Sequence, residues 1–329
     1  MHRILSGIQP SGSLHIGHLV GALDNFALLQ GQGEAFYMIA DWHALTSKYE
    51  NVAEIWPATL ELTATYLAAG LDPAQSTLFV QSLVKEHAEL HLLFSMMTPL
   101  SWLERVPTYK EKLQNAVADL GSYGFLGYPL LQTADIVLYK AHKVPVGEDQ
   151  LFHLELAREV VRRFHFLYQR EVFPEPEAVL TKTPKVPGLD GKKMSKSYGN
   201  CIYLRDPDAV ILEKCTRQMA SDPARVRKTD PGNPDICPVM DFHKLFSDEA
   251  TVQMVDTECR RAGIGCFDCK KRVAEAMIRR ITPIREKIEG HLARPADLED
   301  VLRDGSARAR AVAAGTMADV RDAMKMPAL

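Results

Sequence analysis

Apolar and polar positions over the first eighty residues switch repeatedly between short apolar runs and helical spacing. Residues 3–6 predict a strand, 7–13 a loop of Gly, Pro and Ser, and 17–30 a helix with apolar positions at three- and four-residue intervals. Residues 36–40 predict a second strand, 58–69 a second helix stopped by Gly70, and 77–81 a third strand. This alternation predicts an α/β fold built on a Rossmann-type parallel sheet, in which ligands bind beyond the carboxyl ends of the strands.

From Glu86 onward the pattern is mostly helical, broken at Pro99, Pro107, Pro129 and Pro145. Residues 174–200 are rich in Pro, Gly, Lys and Ser and read as an irregular, mobile connection. Helical spacing then runs to the end, apart from a loop near 231–238. The division this suggests is a catalytic sheet domain with a helical insertion over 1–192 and a helical domain over 193–329.

Composition narrows the class. With 46% hydrophobic and 25% charged residues the chain can bury a core and lacks the signature of disorder. No apolar stretch is long enough to span a membrane, so a cytoplasmic protein is expected. In a reducing compartment, six cysteines point away from disulfides and towards metal or cluster ligands. A net charge of −3 excludes a generally basic nucleic-acid coat. RNA would have to meet local groups such as Arg225, Arg227 and Lys228, Arg260 and Arg261, or Lys270, Lys271 and Arg272, each of which could equally be a solvated face.

Two segments carry nucleotide chemistry. The loop Ser6-Gly7-Ile8-Gln9-Pro10-Ser11-Gly12 leads into His15-Ile16-Gly17-His18 at a helix start, where unpaired backbone N–H groups suit phosphate and small residues allow close approach. Two histidines there are donors that can follow charge on a transferring phosphoryl group. Further along lies Lys193-Met194-Ser195-Lys196-Ser197, whose two ammonium groups can close over β and γ phosphates.

In this order the two motifs resemble the signatures of the class I aminoacyl-tRNA synthetases. The resemblance implies in-line attack of an amino-acid carboxylate on the α-phosphorus of ATP. His15 and His18 would stabilise the pentacovalent state, while Lys193 and Lys196 would hold pyrophosphate with Mg2+ and Lys112 would assist. No protein nucleophile is required, since the work is positioning and electrostatics.

Tyr128, Gln132 and Asp135 follow Pro129, which suits the first turn of a helix, and fall at i, i+4 and i+7 on one helical face. A ring, an amide and a carboxylate form a pocket wall for a side chain with an aromatic surface and one polar handle. Asp135 could accept an indole N–H or a phenol O–H, so the stripe fits tryptophan or tyrosine. The wider match, through Asp41-Trp42-His43-Ala44 and Gly147-Glu148-Asp149-Gln150, resembles the bacterial tryptophanyl-tRNA synthetases. That resemblance implies tryptophan, ATP and tRNA(Trp) as partners and a homodimer, with residues 86–106 able to supply its apolar interface. Asp135 would accept the indole N–H, with Gly7, His43, Tyr128, Gln132, Val146 and Gln150 around the substrate. Gln9, Ser11, Gly17, His18, Gly147, Asp149, Met194 and Ser195 would line the ATP. Gln132 stands where many tryptophan enzymes carry Met, so a tyrosine enzyme is the alternative, and an RNA-binding paralogue without activity a further one.

Cys237, Cys259, Cys266 and Cys269 are separated by 21, 6 and 2 residues. Only the last pair is a short knuckle, whereas Zn sites usually have two. Some tryptophan enzymes have four cysteines at similar spacing that bind a [4Fe-4S] cluster, and the resemblance implies such a cluster here, with Zn as the alternative. Cys201 and Cys215 fit no ligand spacing and are expected in the core.

Overall fold

The computed structural model describes residues 2–107, 122–180 and 186–327. Five short strands lie side by side, all parallel, in the order β3-β2-β1-β4-β5: β1 is Arg3–Ile8, β2 Glu34–Ile39, β3 Ser76–Val80, β4 Lys143–Val146 and β5 Glu177–Leu180. Helices flank the sheet and account for most of the remaining described chain. The α/β fold expected from the sequence is therefore observed.

The departures have physical reasons. β1 runs through Gly7, which the sequence pattern puts in a loop; a Cβ there would lie 2.8 Å from the Met38 carbonyl oxygen, so glycine is what lets β1 and β2 approach. β4 and β5 were not predicted, because β4 contains Lys143 and Pro145 and β5 begins on Glu177 inside a Pro-rich stretch. Pro145 cannot donate to the ladder, and the buried Ser6 hydroxyl donates instead to the Pro145 carbonyl at 3.0 Å. The helix 17–30 begins at Ile16 and contains a wide π turn over Leu19–Leu23.

The chain packs as two compact units, each discontinuous in sequence. One comprises Met1–Gly12, Asn25–Lys182 and His291–Leu329; the other comprises Ser13–Asp24 and Thr183–Gly290. A single boundary at 192/193 does not describe this packing. The terminal helix Pro295–Ala323, expected in the second domain, packs in the sheet unit. It covers the edge strand β3: a Cβ on Gly305 would collide with the Leu78 carbonyl, and the Ser306 hydroxyl accepts from the Val80 N–H at 3.3 Å. Sheet, flanking helices and this terminal helix share one apolar core that includes Phe36, Phe79, Phe94, Val137 and Met317. Among the described residues no helix is long and apolar enough to cross a membrane.

Candidate active site

In an open sheet of this order the crevice lies between β1 and β4, where strand succession reverses. The carboxyl end of β1 is Ile8 and that of β4 is Val146, followed by Gly147 and the short helical turn Glu148–Gln150. The ends of β2 and β3 supply the next groups. β2 leads into the helix Asp41–Lys48, which carries His43, and β3 leads directly into Gln81.

These meet at Asp135, on the helix Tyr123–Leu138 and only 1% exposed. His43 Nε2 lies 2.7 Å from Asp135 Oδ2, and His87 Nδ1 lies 2.6 Å from Oδ1. Gln81 Nε2 donates to both oxygens, at 2.8 and 3.0 Å. Burial alone would raise the Asp135 pKa, but the hydrogen bonds and charges of His43 and His87 outweigh it and hold the carboxyl well below the usual range. Asp135 is thus a buried anion wrapped in donors. Sequence reasoning missed Gln81 and His87: Gln81 reads as the last residue of an apolar strand, and nothing in its neighbourhood announces a polar centre.

The same helix carries Tyr128, buried with its ring 5.4 Å from that of His153, and Gln132, whose amide donates to Gln150 Oε1 at 3.3 Å. Gln150 in turn donates to Asp149 Oδ2 at 3.3 Å, so Gln132, Gln150 and Asp149 form one string. The predicted face of Tyr128, Gln132 and Asp135 is real, but Pro129 does not open the helix. Ser122 caps it, its hydroxyl accepting from the Phe125 N–H at 3.2 Å, and Pro129 lies inside. Beside this wall a cavity of about 460 Å³ is lined by Trp42, Leu45, Tyr49, His91 and Leu131, none of them predicted as site residues. Lys112 lies outside the described residues.

In the second unit the two signature motifs are neighbours through their backbones. Ile16 N–H donates to the Ile202 carbonyl at 3.0 Å and Leu204 N–H to the Leu14 carbonyl at 2.9 Å, with an antiparallel bridge between His15 and Tyr203. The lysine loop just before is tied rather than loose. Asn200 Oδ1 accepts from Ser195 N–H at 2.8 Å, and its amide donates to the Lys193 carbonyl at 3.2 Å and to Asp190 at 2.7 Å. Met194 is buried, while Lys193 is exposed.

The two imidazoles lie 3.9 Å apart between ring centroids. His15 Nδ1 accepts from Gly17 N–H at 3.1 Å, and His18 Nδ1 accepts from His15 N–H at 3.3 Å. In both rings the proton therefore resides on Nε2, leaving two neutral N–H donors. Burial, then the charge of Lys196, lowers His15 to about 4. Burial, His15 and Lys196 lower His18 to about 3.

Because these folded values lie below the unfolded 6.5, the unfolded chain binds protons first as the pH falls. The stability involved is present above pH 6.5 and is lost towards pH 4 and below. Thermal unfolding followed from pH 7 to 4 should show a falling Tm, and replacing both residues with Asn should flatten that slope. An unchanged slope would refute the assigned charge states.

The four cysteines lie in the second unit, none disulfide-bonded and all partly exposed, whereas Cys201 and Cys215 are buried as expected. Burial, then the neighbouring Cys237, Cys259 and Cys266, pushes the Cys269 thiol up to about 12. Cys259 is raised likewise, by burial and then by Cys237 and Cys266. Among the described residues, no group of three or more His, Cys, Asp or Glu stands ready to hold a single metal ion. Arg225, half-buried, is tied into the fold: it donates to the Lys228 and Ile264 carbonyls at 2.9 Å and lies 3.9 Å from Cys259 Sγ. Arg260 is paired with Asp235 and Asp256.

A parallel sheet of this order in one unit and, within the other, two imidazoles held beside a lysine-rich loop are features that suit an enzyme acting on a nucleotide. Comparison with known proteins is specific: the family described as "tRNA synthetases class I (W and Y)" matches residues 1–282, and the chain belongs to it. A tryptophan-tRNA ligase of Thermotoga maritima is 54% identical over 327 residues, covering 98% of this chain and 99% of that one. One of Deinococcus radiodurans is 44% identical over 330 residues, covering 98% of each. Tryptophanyl-tRNA synthetase of Campylobacter jejuni, solved in complex with ADP and tryptophan, superposes with a TM-score of 0.89 at 32% identity, covering 98% of this chain and 100% of that one.

Proposed function

We infer that this chain is a tryptophan-tRNA ligase. It activates L-tryptophan with ATP to tryptophanyl-adenylate and pyrophosphate, then transfers tryptophan to tRNA(Trp). The structural observation that supports this most directly is the pairing of residues 14–16 with 202–204, which holds His15, His18 and the Lys193–Lys196 loop in one compact unit. Two fixed Nε2–H donors can stabilise charge on the α-phosphate as the tryptophan carboxylate attacks, and Lys193 and Lys196 can neutralise departing pyrophosphate with Mg2+. Gln9, Ser11, Gly17, Gly147, Asp149, Met194 and Ser195 are proposed to line the ATP. Gly7, His43, Tyr128, Gln132, Val146 and Gln150 are proposed to surround the amino acid, with Asp135 accepting the indole N–H. Gln132 then faces the substrate as an amide bound to Gln150, a geometry compatible with either aromatic amino acid.

Pyrophosphate exchange measured separately with tryptophan and tyrosine tests the reading. Exchange with tryptophan is expected; exchange with tyrosine alone would transfer the chain to the other branch of the family, and none with either would remove the activity. A homodimer belongs to this proposal, and exposed Leu92, Met96 and Leu100 supply apolar surface for it. So does a cytoplasmic location, where tRNA is charged.

A [4Fe-4S] cluster on Cys237, Cys259, Cys266 and Cys269 is also proposed. The donor set fits in kind: the four are soft thiols, and Cys269, raised by burial and by its three neighbours, is the sort of group a bound cationic centre would ionise. Bound there, it would fix the chain beside Lys270, Lys271 and Arg272, which lie on the helix Cys266–Leu292, so that they could meet RNA. Iron and sulfide analysis of anaerobically purified protein should find about four of each per chain, the content of one such cluster. Stoichiometric Zn without iron would overturn this.

A further inference from the structure

We propose that His87, backed by Tyr139, is the positioning residue that locks Asp135 as a fixed acceptor for the substrate N–H, and so sets selectivity for a donor-only heterocycle. The inference rests on the tryptophan reading above and concerns groups that reading does not use.

The argument is one of donor and acceptor accounting. His87 is fully buried, with Nδ1 2.6 Å from Asp135 Oδ1 and Nε2 2.8 Å from the Tyr139 hydroxyl. The Tyr139 hydroxyl is fully buried too, and burial, then the charge of Asp135, pushes its pKa well above 10, so it stays protonated and donates to Nε2. That leaves Nδ1 to carry the proton facing the carboxylate, and it donates to Asp135 Oδ1. Gln81 is oriented in the same sense: its Oε1 accepts from the His43 N–H at 3.4 Å, which turns its NH2 towards both Asp135 oxygens. Each of these links runs towards the carboxylate, and neither His87 nor Gln81 offers it an acceptor. A protonated Asp135 would set its O–H against donors, so the site keeps an anion and can only accept.

The donors differ in access. His87 and Gln81 are 0% exposed and sealed behind the carboxylate, whereas His43, at 6%, is the donor on the more open side. His43 is therefore the partner that can yield or share Oδ2 when a substrate N–H arrives, while His87 and Gln81 keep the carboxylate in place. His87 is held between Phe79, 6.0 Å away and near-parallel, and Tyr139, 5.4 Å away. Its ring cannot turn to present the other nitrogen without disturbing both.

The test compares L-tryptophan with L-β-(benzothiophen-3-yl)alanine, in which sulfur replaces the indole N–H, by pyrophosphate exchange on the full-length protein. Wild type should favour tryptophan in kcat/KM. His87→Leu should cut that preference about tenfold, the order expected when one charge-assisted hydrogen bond ceases to orient its acceptor, with the KM for ATP unchanged. His87→Asn, which keeps an N–H near the Nδ1 position, should restore part of the preference, and Tyr139→Phe should lower it less than His87→Leu. If His87→Leu does not fold, the other two variants carry the test. Equal loss for both substrates, with the preference intact, would reduce His87 to a packing role and overturn the proposal. Wild type that uses both substrates equally would instead remove the indole N–H contact, and no exchange with tryptophan would remove the tryptophan reading itself.

Discussion

Asp135→Asn is expected to raise the KM for tryptophan by about 100-fold or more while leaving that for ATP nearly unchanged, because the substituted amide turns an acceptor into a half-donor in a site built to accept. Asparagine has one carbonyl oxygen to offer where His43, His87 and Gln81 all point N–H groups at the carboxylate. Its NH2 must then face at least one of those donors. An unsatisfied buried donor costs roughly 1–3 kcal/mol, so the Tm should also fall by a few degrees. Steady-state exchange kinetics at varied tryptophan, alongside thermal unfolding, separates the two effects. A tryptophan KM that does not move would dissociate Asp135 from the substrate.

Lys196→Ala is the other large effect. Its ammonium lies close enough to lower both His15 and His18, and it is proposed to meet the charge that develops on pyrophosphate. Removing one such preorganised charge typically costs a factor of roughly 100 to 1,000 in kcat, and the KM for tryptophan should stay within about twofold. A second readout is independent of turnover. With the ammonium gone, the imidazole pKa values of His15 and His18 should both rise towards 6.5, which NMR titration reads directly. Unmoved histidines would place Lys196 away from them, and an unaltered kcat would take it out of the reaction.

How much of this was legible beforehand depended on whether a group's role was local. The first three strands, the helix start at residues 15–18 and the lysine loop are each recognisable within about ten residues, because period, capping and small-residue loops are local properties. The shared face of Tyr128, Gln132 and Asp135 follows from helix geometry alone. β4 was hidden because its burial comes from neighbours, and its sequence contains a lysine and a proline that local preference disfavours. Gln81 and His87 were hidden for the opposite reason: each looks ordinary in its own element and acquires meaning only where β3 ends beside a distant helix. Arg225 looked like surface charge, yet it is half-buried and donates to two backbone carbonyls, and Arg260, though exposed, is paired with Asp235 and Asp256.

The Gly305–Ser306 cover on β3 has a consequence for how the protein comes into being. A ribosome that has produced β1 through β5 has released the entire sheet, yet the strip that shields its outer strand lies in the helix Pro295–Ala323, which is synthesised long after β5. Throughout that interval the nascent chain carries an open rank of amides and carbonyls, the kind of surface that joins one unfinished polypeptide to another. Only when the helix Pro295–Ala323 has been made and has folded onto the sheet is the exposed border closed.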